Sequence, residues 1–259
     1  MDTHEILALL RETADVVINP RFRALREDQV TTKAGPHDLV TVADREAEQY
    51  LVARLQAAFP QALVFGEETV YTDPGVLSRL PGAEHALIID PIDGTRNFVN
   101  GDPRYGVMLA ETKNGVTTRG WIWQPQWQQS FVVERGAGVR RNDEPVVRPT
   151  IDRPPLGGAS NRRLHGFDAD GALSPVVGSN FAVAFDYPAI LAGDLDFMFY
   201  TTMHPWDHLA GILMLEELGG VAKLRDGSRY AMANDPAGMI VADSEANCDL
   251  AWQHWPGLG

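Results

Sequence analysis

Hydrophobic and polar positions along the chain predict two amphipathic helices in the first sixty residues. Asp2 or Thr3 can cap the first helix, with Glu5 completing a capping box, and Pro20 is expected to close it. Its apolar stripe is predicted to be Ile6, Leu9, Leu10, Thr13, Val16 and Val17. The second helix follows residues 33–44, and its predicted stripe is Ala47, Tyr50, Leu51, Leu55 and Ala58.

The following hundred residues read mainly as strands. Two short continuous apolar runs, at residues 63–65 and 86–89, are typical of strands that are buried on both faces. Asn114-Gly115 between two strand-like runs is a strong hairpin signal. An antiparallel sheet is therefore expected from the runs at residues 107–112, 116–123 and 130–134.

A proline-rich segment at residues 145–155 predicts a crossover or boundary between two subdomains. We expect an N-terminal subdomain of residues 1–148 and a C-terminal subdomain of residues 149–259, joined in one compact unit. In the second, a helix that opens near His204 and is terminated by Gly219-Gly220 carries Asp207. The other expected elements are a helix at 182–191, strands at 195–200, 221–223 and 239–241, and a final helix.

Composition and charge narrow the class of protein. A length of 259 residues with 44% hydrophobic content supports a full core. The net charge of −13 argues against a nucleic-acid polymer as partner. The single cysteine, Cys248, excludes an internal disulfide and is expected to be a packing residue. The absence of a leader pattern and of a long apolar run predicts a cytoplasmic protein without a membrane partner.

The segment Asp90-Pro91-Ile92-Asp93-Gly94-Thr95 carries the most informative chemistry of the chain. It follows a predicted buried strand, so both carboxylates lie at one bend, where they repel each other. A divalent cation between them is the natural compensation, and the carbonyl of Ile92 can add a third oxygen. If a helix begins near Thr95, its free amides can hold a phosphate. Without further partners, the same six residues fit an acidic surface turn with Thr95 as a helix cap.

Other acidic residues stand at comparable positions. Glu67 and Glu68 follow the predicted strand at 63–65, and ligands in open α/β sheets collect beyond the carboxyl ends of strands. Asp44 and Asp207 fall near predicted helix starts, where each alone reads as an N-cap. His204 and His208 lack zinc-site spacing, and Trp121, Trp123 and Trp127 are expected to pack in the core or at an interface rather than to line a ligand surface.

Together these motifs resemble those of the inositol monophosphatase family of magnesium-dependent phosphatases. The resemblance rests on Gly66-Glu67-Glu68, on residues 90–95 with Asn97-Phe98, and on Trp206-Asp207 with Ala210-Gly211, in the family's order. It implies a layered αβαβα sandwich of the α/β (α+β) class, of the inositol monophosphatase and fructose-1,6-bisphosphatase type, and a protein that is commonly a homodimer. It further implies hydrolysis of a small phosphate monoester by activated water, with two or three Mg²⁺ ions as cofactors.

The resemblance also implies roles for single residues. By motif position, Glu67, Asp90 and the Ile92 carbonyl resemble the ligands of a first Mg²⁺, and Asp90, Asp93 and Asp207 resemble those of a second.

Thr95 with Asp44 resembles the pair that orients and deprotonates the attacking water, and Glu68 resembles an outer-shell catalytic helper. The amides of Gly94 and Thr95 would hold the phosphate. Because the reaction asks mainly for positioning and charge stabilisation, no protein nucleophile is needed.

Substrate recognition departs from the family's pattern. Inositol phosphatases usually have a glutamate where this chain has Tyr200, and the usual Gly-Thr-Ala-like segment is replaced by residues 181–187. Asp186, Tyr200 and Ser160 are the candidate substrate contacts, although Asp186 also fits a helix-surface aspartate. Inositol monophosphate or a related sugar or polyol phosphate is the expected substrate. The alternatives are histidinol phosphate, a 3′(2′),5′-bisphosphate nucleotide, or a non-catalytic phosphate-binding role.

Overall fold

The computed structural model describes residues 1–32, 39–231 and 238–256. The Lys33–Asp38 part of the segment before the second helix therefore lies outside the described residues. The helices are α1 (Thr3–Thr13), α2 (Val42–Ala58), α3 (Glu67–Thr72), α4 (Val76–Arg79), α5 (Thr95–Val99), α6 (Val183–Ala192), α7 (Pro205–Glu217) and α8 (Glu245–His254). The strands are β1 (Val30–Thr32), β2 (Leu39–Thr41), β3 (Leu63–Gly66), β4 (His85–Asp93), β5 (Gly106–Lys113), β6 (Val116–Gln124), β7 (Gln129–Glu134), β8 (Gly138–Arg141), β9 (Glu144–Pro145), β10 (Leu156–Ala159), β11 (Ser174–Gly178), β12 (Phe197–Tyr200), β13 (Val221–Leu224) and β14 (Met239–Ala242).

Two large sheets organise these elements. The seven-stranded sheet has the order β3-β4-β5-β6-β7-β8-β9, with β3 parallel to β4 and the other pairs antiparallel. The five-stranded sheet has the order β11-β10-β12-β14-β13 and mixes parallel and antiparallel pairs. The predicted hairpin is confirmed, because β5 pairs with β6 around Asn114-Gly115, with Lys113 opposite Val116.

Alternation along the buried strands produces the layers. In β4, Leu87 and Ile89 pack in one core with α1 and α2, whereas Ile88 packs on the other face with α6 and α7. In β12, Met198 joins that second core, and Phe197 packs with α8 in a third. The order of layers is therefore α1/α2, seven-stranded sheet, α6/α7, five-stranded sheet and α8. The predicted αβαβα sandwich is confirmed.

The segment between the sheets, residues 146–155, is anchored by a buried ion-pair network. The carboxylate of Asp196, 3% exposed, accepts from the guanidinium of Arg148 at 2.5 Å, from that of Arg153, and from the amide of Leu156 at 2.7 Å. Arg148 also pairs with Asp243 at 2.8 Å. These contacts fasten the segment to the second sheet. The predicted subdomain boundary stays a prediction, because α6 and α7 pack against both sheets.

The first two helices differ from the predicted stripes in detail. The α-helical part of the first ends at Thr13 and continues as a π-helical turn, Ala14–Ile18, which leaves Val16 53% exposed. The wider turn shifts the apolar face, so Val16 does not belong to the core stripe. Pro20 lies inside a following 3₁₀ turn, Asn19–Arg21, and does not end the helical path. Ala58 is exposed because it is the last residue of α2.

Several other predictions about packing are confirmed. Trp121 and Trp123 are buried, as is Cys248. Trp127 is not a core residue, because it is 41% exposed and makes only an edge contact with Phe185, so its packing at an interface stays a prediction. Among the described residues, no helix combines the length and apolar character needed to cross a membrane.

Candidate metal centre and phosphate site

The register of two parallel strands places Glu67 beside Asp90. Gly66 of β3 pairs with Ile89 of β4, so Glu67, which follows the end of β3, lies next to Asp90. The expectation that the strand ends before Asp90 is wrong, because β4 continues to Asp93 and Asp90 pairs with Met108 of β5. Burial raises the pKa of Asp90 well above its ordinary range, and the nearby charges of Glu67 and Asp93 raise it further. The neighbourhood expected from the two strand ends is therefore present in the structure.

Asp207 completes an acidic cluster at this edge. It lies in the first turn of α7, and one carboxylate oxygen each from Asp90, Asp93 and Asp207 lies within 4.8 Å of the other two. His204, and not Asp207, is the N-cap of α7. Asp207 is the third residue of α7, and its carboxylate belongs to the cluster.

The donor set of this cluster fits a hard divalent cation. Asp90 Oδ1 is buried and has no hydrogen-bond partner among the residues that the structure describes. A buried carboxylate oxygen without a partner costs free energy, and a cation that prefers oxygen ligands removes that cost. Glu67 is not part of the group of three, and it acts on Asp90 through its charge.

Asp93 links the cluster to the helix α6. Its carboxylate accepts from the amides of Val183 at 3.2 Å and Ala184 at 2.7 Å, which are orphan donors of the first turn of that helix. Burial raises the pKa of Asp93 to about 7, against the lowering effect of these two amides. The carboxylate of Asp93 therefore ties β4 to the start of α6 and also faces Asp90 and Asp207.

Thr95 and Asp44 form a hydrogen-bonded pair next to the cluster. The hydroxyl of Thr95 lies 3.0 Å from Asp44 Oδ1 and 3.0 Å from the Ile92 carbonyl oxygen. Asp44 is the third residue of α2, not its N-cap, and its other oxygen accepts from the Thr41 amide at 2.8 Å and the Thr41 hydroxyl at 2.6 Å. This capping box fixes the carboxylate and leaves Oδ1 facing Thr95.

The environment of Asp44 makes it a proton acceptor near neutral pH. Burial raises its pKa to about 7; the hydrogen bonds from Thr41 oppose this shift, and the charges of Glu67 and Glu68 add to it. A carboxylate with such a pKa accepts a proton more readily than an exposed aspartate.

Gly94 is required by the turn that presents these groups. Its φ of +81° lies in the left-handed region, and an added Cβ would lie 2.9 Å from Ala182 Cβ and 3.0 Å from the Arg104 carbonyl oxygen. Only glycine allows this close approach, by which the turn packs against Ala182 and the Arg104 carbonyl group.

Glu48, which the sequence did not single out, positions the Glu67-Glu68 segment. Its buried carboxylate accepts from the Glu68 amide at 2.7 Å, and from the Thr69 amide at 2.8 Å and hydroxyl at 2.6 Å. It therefore caps the short helix α3 that carries Glu67 and the buried Glu68. Its place one helical turn after Asp44, on the buried face of α2, is a signal that could have identified it.

The predicted substrate contacts are placed differently from one another. Asp186 is 1% exposed, so the helix-surface interpretation is wrong. Its Oδ1 accepts from the amide and the side chain of Asn180 at 2.8 and 2.9 Å, and burial raises its pKa to about 6. The Tyr200 hydroxyl donates to Asp186 Oδ2 at 3.4 Å. Ser160 is exposed just beyond β10.

The two histidines of α7 do not form a metal pair. His208 is buried, with Nδ1 2.9 Å from the Tyr187 hydroxyl and Nε2 3.0 Å from the Thr202 carbonyl oxygen. Burial lowers its pKa to about 4, so it is neutral and structural. His204 stacks on Trp206.

A comparison with protein families agrees with this arrangement. The model of the inositol monophosphatase family matches residues 2–255. The chain belongs to the inositol monophosphatase family. Among curated members, it is similar to an inositol-1-monophosphatase of Mesorhizobium japonicum, with 30% identity over 86% of this chain and 85% of the relative. It is also similar to the Nus factor SuhB of Vibrio cholerae, with 31% identity over the same shares.

Solved structures of the family share the fold. The IMPase of Thermotoga maritima superimposes with a TM-score of 0.81 at 24% identity, covering 98% of both chains. An IMPase/NADP phosphatase in complex with Mg²⁺ and phosphate superimposes with a TM-score of 0.78 at 22% identity, covering 95% of this chain and 94% of that one. At identities of 24% and 22%, these superpositions show that the fold is shared. Proteins with different names have this fold.

Proposed function

We propose that this family member is a phosphoric monoester hydrolase that uses Mg²⁺ to hydrolyse a small phosphate monoester. The observation that carries the proposal is the Thr95–Asp44 hydrogen bond of 3.0 Å beside the cluster of Asp90, Asp93 and Asp207. A site for binding alone has no use for a hydroxyl that leads to a buried carboxylate.

The acidic residues would hold the metal ions. We assign Glu67, Asp90 and the Ile92 carbonyl to one Mg²⁺, and Asp90, Asp93 and Asp207 to a second. Two or three ions would offset the burial, and with it the repulsion between acids, that raises the pKa of Asp90 and Asp93. When bound, the ions supply charge stabilisation for the phosphoryl group and the departing alkoxide, and lower the pKa of the attacking water.

The proton path runs through Thr95. Its hydroxyl donates to Asp44 and at the same time offers a lone pair to a water on its other side. As the water attacks phosphorus, Thr95 would accept the water's proton and pass its own to Asp44. The amides of Gly94 and Thr95, at the start of α5, would orient the phosphate oxygens. Glu68, fixed by Glu48 through its amide, would assist from the outer shell.

The substrate is proposed to be inositol monophosphate or a related sugar or polyol phosphate. Asp186 and Tyr200 would contact the alcohol part, with Ser160 at the rim. Histidinol phosphate and 3′(2′),5′-bisphosphate nucleotides are the alternatives within the same reaction class. Relatives named inositol-1-monophosphatase and Nus factor SuhB are about equally similar to the chain, so their names favour no single substrate.

The name Nus factor also raises a non-catalytic alternative. A phosphate-binding relative without activity would keep the acidic cluster as a binding site, but it would have no need of a water-activating pair. The geometry of Thr95 and Asp44 therefore supports catalysis. The cytoplasmic location and the homodimer expected from the resemblance stay predictions, and light scattering after gel filtration measures the second.

The deciding experiment is phosphate release from a panel of small phosphate monoesters, with Mg²⁺ and with EDTA. We expect turnover that requires the metal and prefers sugar or polyol phosphates. Isothermal titration with Mg²⁺ on the same preparation reports the metal site separately. Tight Mg²⁺ binding without phosphate release from any ester would instead support the non-catalytic alternative.

A further inference from the structure

Phe181 has a strained backbone conformation and an exposed side chain, and it lies beside the turn at Gly94. Its φ of +55° lies in the left-handed region, which bulky side chains rarely adopt, and its ring is 41% exposed. Strain without burial gives no stability in return. Such outliers cluster at ligand sites, where the surrounding structure holds them.

The backbone around Phe181 is held firmly in this place. Asn97 donates from Nδ2 to the carbonyl oxygen of Asn180 at 2.9 Å, and Asp186 accepts from the Asn180 amide at 2.8 Å. The carbonyl oxygen of Phe181 lies 3.5 Å from the point where a Cβ on Gly94 would sit. Residues 180–181 are therefore packed directly against the turn that carries Asp93 and Thr95.

Arg96 lies over the exposed ring. Its guanidinium carbon is 5.3 Å from the centroid of Phe181, and no acidic side chain among the described residues pairs with it. The nearby Arg104 differs, because its guanidinium contacts Asp102 at 2.5 Å and at two longer distances. Within residues 1–32, 39–231 and 238–256, Arg96 is thus a cation beside the Gly94 turn that has no acidic partner and can meet a ligand.

A stacked arginine keeps its N–H groups in the plane of the guanidinium, ready for a carboxylate or a phosphate. The adjacent acids Glu67, Asp90 and Asp93 repel any second anion on the substrate. A cation held in place by an aromatic ring offsets that repulsion at one defined point. These two facts together give a physical reason for an exposed phenylalanine in a strained conformation next to an arginine.

We propose that Arg96 and Phe181 form a subsite for a second anionic group, a carboxylate or a phosphate, on the alcohol part of the substrate. The proposal rests on the phosphatase function proposed above and narrows its substrate class. Arg96 binds the anion, and Phe181 holds the guanidinium plane and packs against the carbon chain that joins the two anionic groups.

The test compares three series of alkyl phosphates of increasing chain length, ending in a methyl group, a carboxylate or a second phosphate. With Mg²⁺ present, we expect a higher kcat/KM for at least one anionic series than for methyl-ended chains of equal length. In Arg96→Gln, the kcat/KM of the anionic series divided by that of the methyl-ended series should fall about tenfold. This is the effect expected for the loss of a charge-assisted hydrogen bond. The non-hydrolysable phosphonates of the same chains should show the same change in their Kd ratios by calorimetry.

Further variants separate this subsite from general effects. Arg96→Lys keeps the charge but not the planar fork, so its kcat/KM ratio should lie between those of Arg96→Gln and the wild type. Phe181→Leu should lower the same ratio without removing a charge. Arg26→Gln, at an arginine that pairs with the neighbouring Asp28 in the described part of the chain, should leave the ratio unchanged. Equal kcat/KM for methyl-ended and anionic chains, or an unchanged ratio in Arg96→Gln, overturns the subsite. Hydrolysis of none of the esters overturns the phosphatase function itself.

Discussion

The hydroxyl of Thr95 lies 3.0 Å from Asp44 Oδ1, and this contact joins the start of α5 to the start of α2 across 51 residues of sequence. Both partners are fixed by their own helices, because Asp44 is held by the Thr41 capping box and Thr95 follows the left-handed turn at Gly94. A relay of this kind depends on a single oxygen atom, which makes it open to a sharp test.

Removal of that oxygen should stop the proton transfer and spare the metal site. Thr95→Ala is expected to lower kcat by about 10²–10³-fold, the usual contribution of general acid–base groups. Mg²⁺ affinity, measured by isothermal titration, should change little, because the metal cluster is formed by other residues. Thr95→Ser keeps the hydroxyl and should keep most of the activity. Equal activity of the alanine and serine variants would exclude the relay.

Replacement of the central carboxylate should change activity and stability in opposite directions. Asp90→Asn keeps the shape but removes a buried charge that faces Glu67, Asp93 and Asp207. We expect at least a roughly hundredfold loss of turnover and a weaker dependence on Mg²⁺. In EDTA at pH 8, the same variant should have a higher Tm than the wild type by thermal unfolding. A lower Tm under these conditions would mean that the acids are not in electrostatic conflict.

The metal-free protein should lose stability as pH rises between about 4 and about 7. The pKa of Asp44 and of Asp93 is raised to about 7, and that of Asp186 to about 6, above the value of about 3.9 in unfolded chains. The folded state therefore binds protons that the unfolded state releases, so the stabilisation is complete below the unfolded pKa and is lost as pH passes the folded pKa.

Urea unfolding in EDTA at pH 5 and pH 8 measures this change. We expect a free energy of unfolding that is lower at pH 8 by at least about 2 kcal/mol. Asp186→Asn should reduce the difference, since it removes one of the three groups. Mg²⁺ at pH 8 should restore stability, because it binds the folded state only. A profile that rises from pH 5 to pH 8 in EDTA would contradict the assignment.

The ion-pair network at Asp196 should stabilise the fold without affecting the chemistry. Asp196→Ala removes the buried carboxylate that pairs with Arg148 and Arg153, and should cost about 2–3 kcal/mol in urea unfolding. Arg148 keeps its ion pair with Asp243 in this variant. Mg²⁺ affinity and kcat at low temperature should be retained. Asp152→Ala, at an exposed aspartate of the same half, serves as the control and should change stability by less than about 0.5 kcal/mol.

The tyrosine that replaces the usual glutamate should act on substrate binding. Tyr200→Phe removes the hydroxyl that donates to Asp186 Oδ2 at 3.4 Å, and the aromatic packing with His208 stays. We expect KM to rise about 3–10-fold with little change in kcat, from the loss of one donor to a buried carboxylate. Steady-state kinetics on the best ester of the panel measure both constants. A fall in kcat at constant KM would assign Tyr200 to the reaction step instead.

Most of the architecture and part of the site could be predicted from the sequence because they depend on local patterns. Apolar runs identified β3 and β4, and the Asn-Gly turn identified the β5–β6 hairpin. The proximity of Glu67 and Asp90 follows from those runs, since the residues after them are in register on two parallel strands, although β4 continues to Asp93. The predicted apolar stripe of the first helix, in contrast, was wrong at Val16, because the helix continues there as a π-helical turn that exposes this residue.

The remaining features were decided by long-range packing, which leaves no local periodic signal. Asp207 joins Asp90 only because α7 is packed between the two sheets, and Asp186 is buried only because residues 180–181 fold over it. The contact of Arg96 with Phe181 likewise depends on how Asn97 holds the second half of the chain against the first. The sequence thus determined which chemical groups are available and on which elements they stand. The tertiary structure decided which of them meet, because burial and the resulting pKa shifts arise only when distant segments exclude water together.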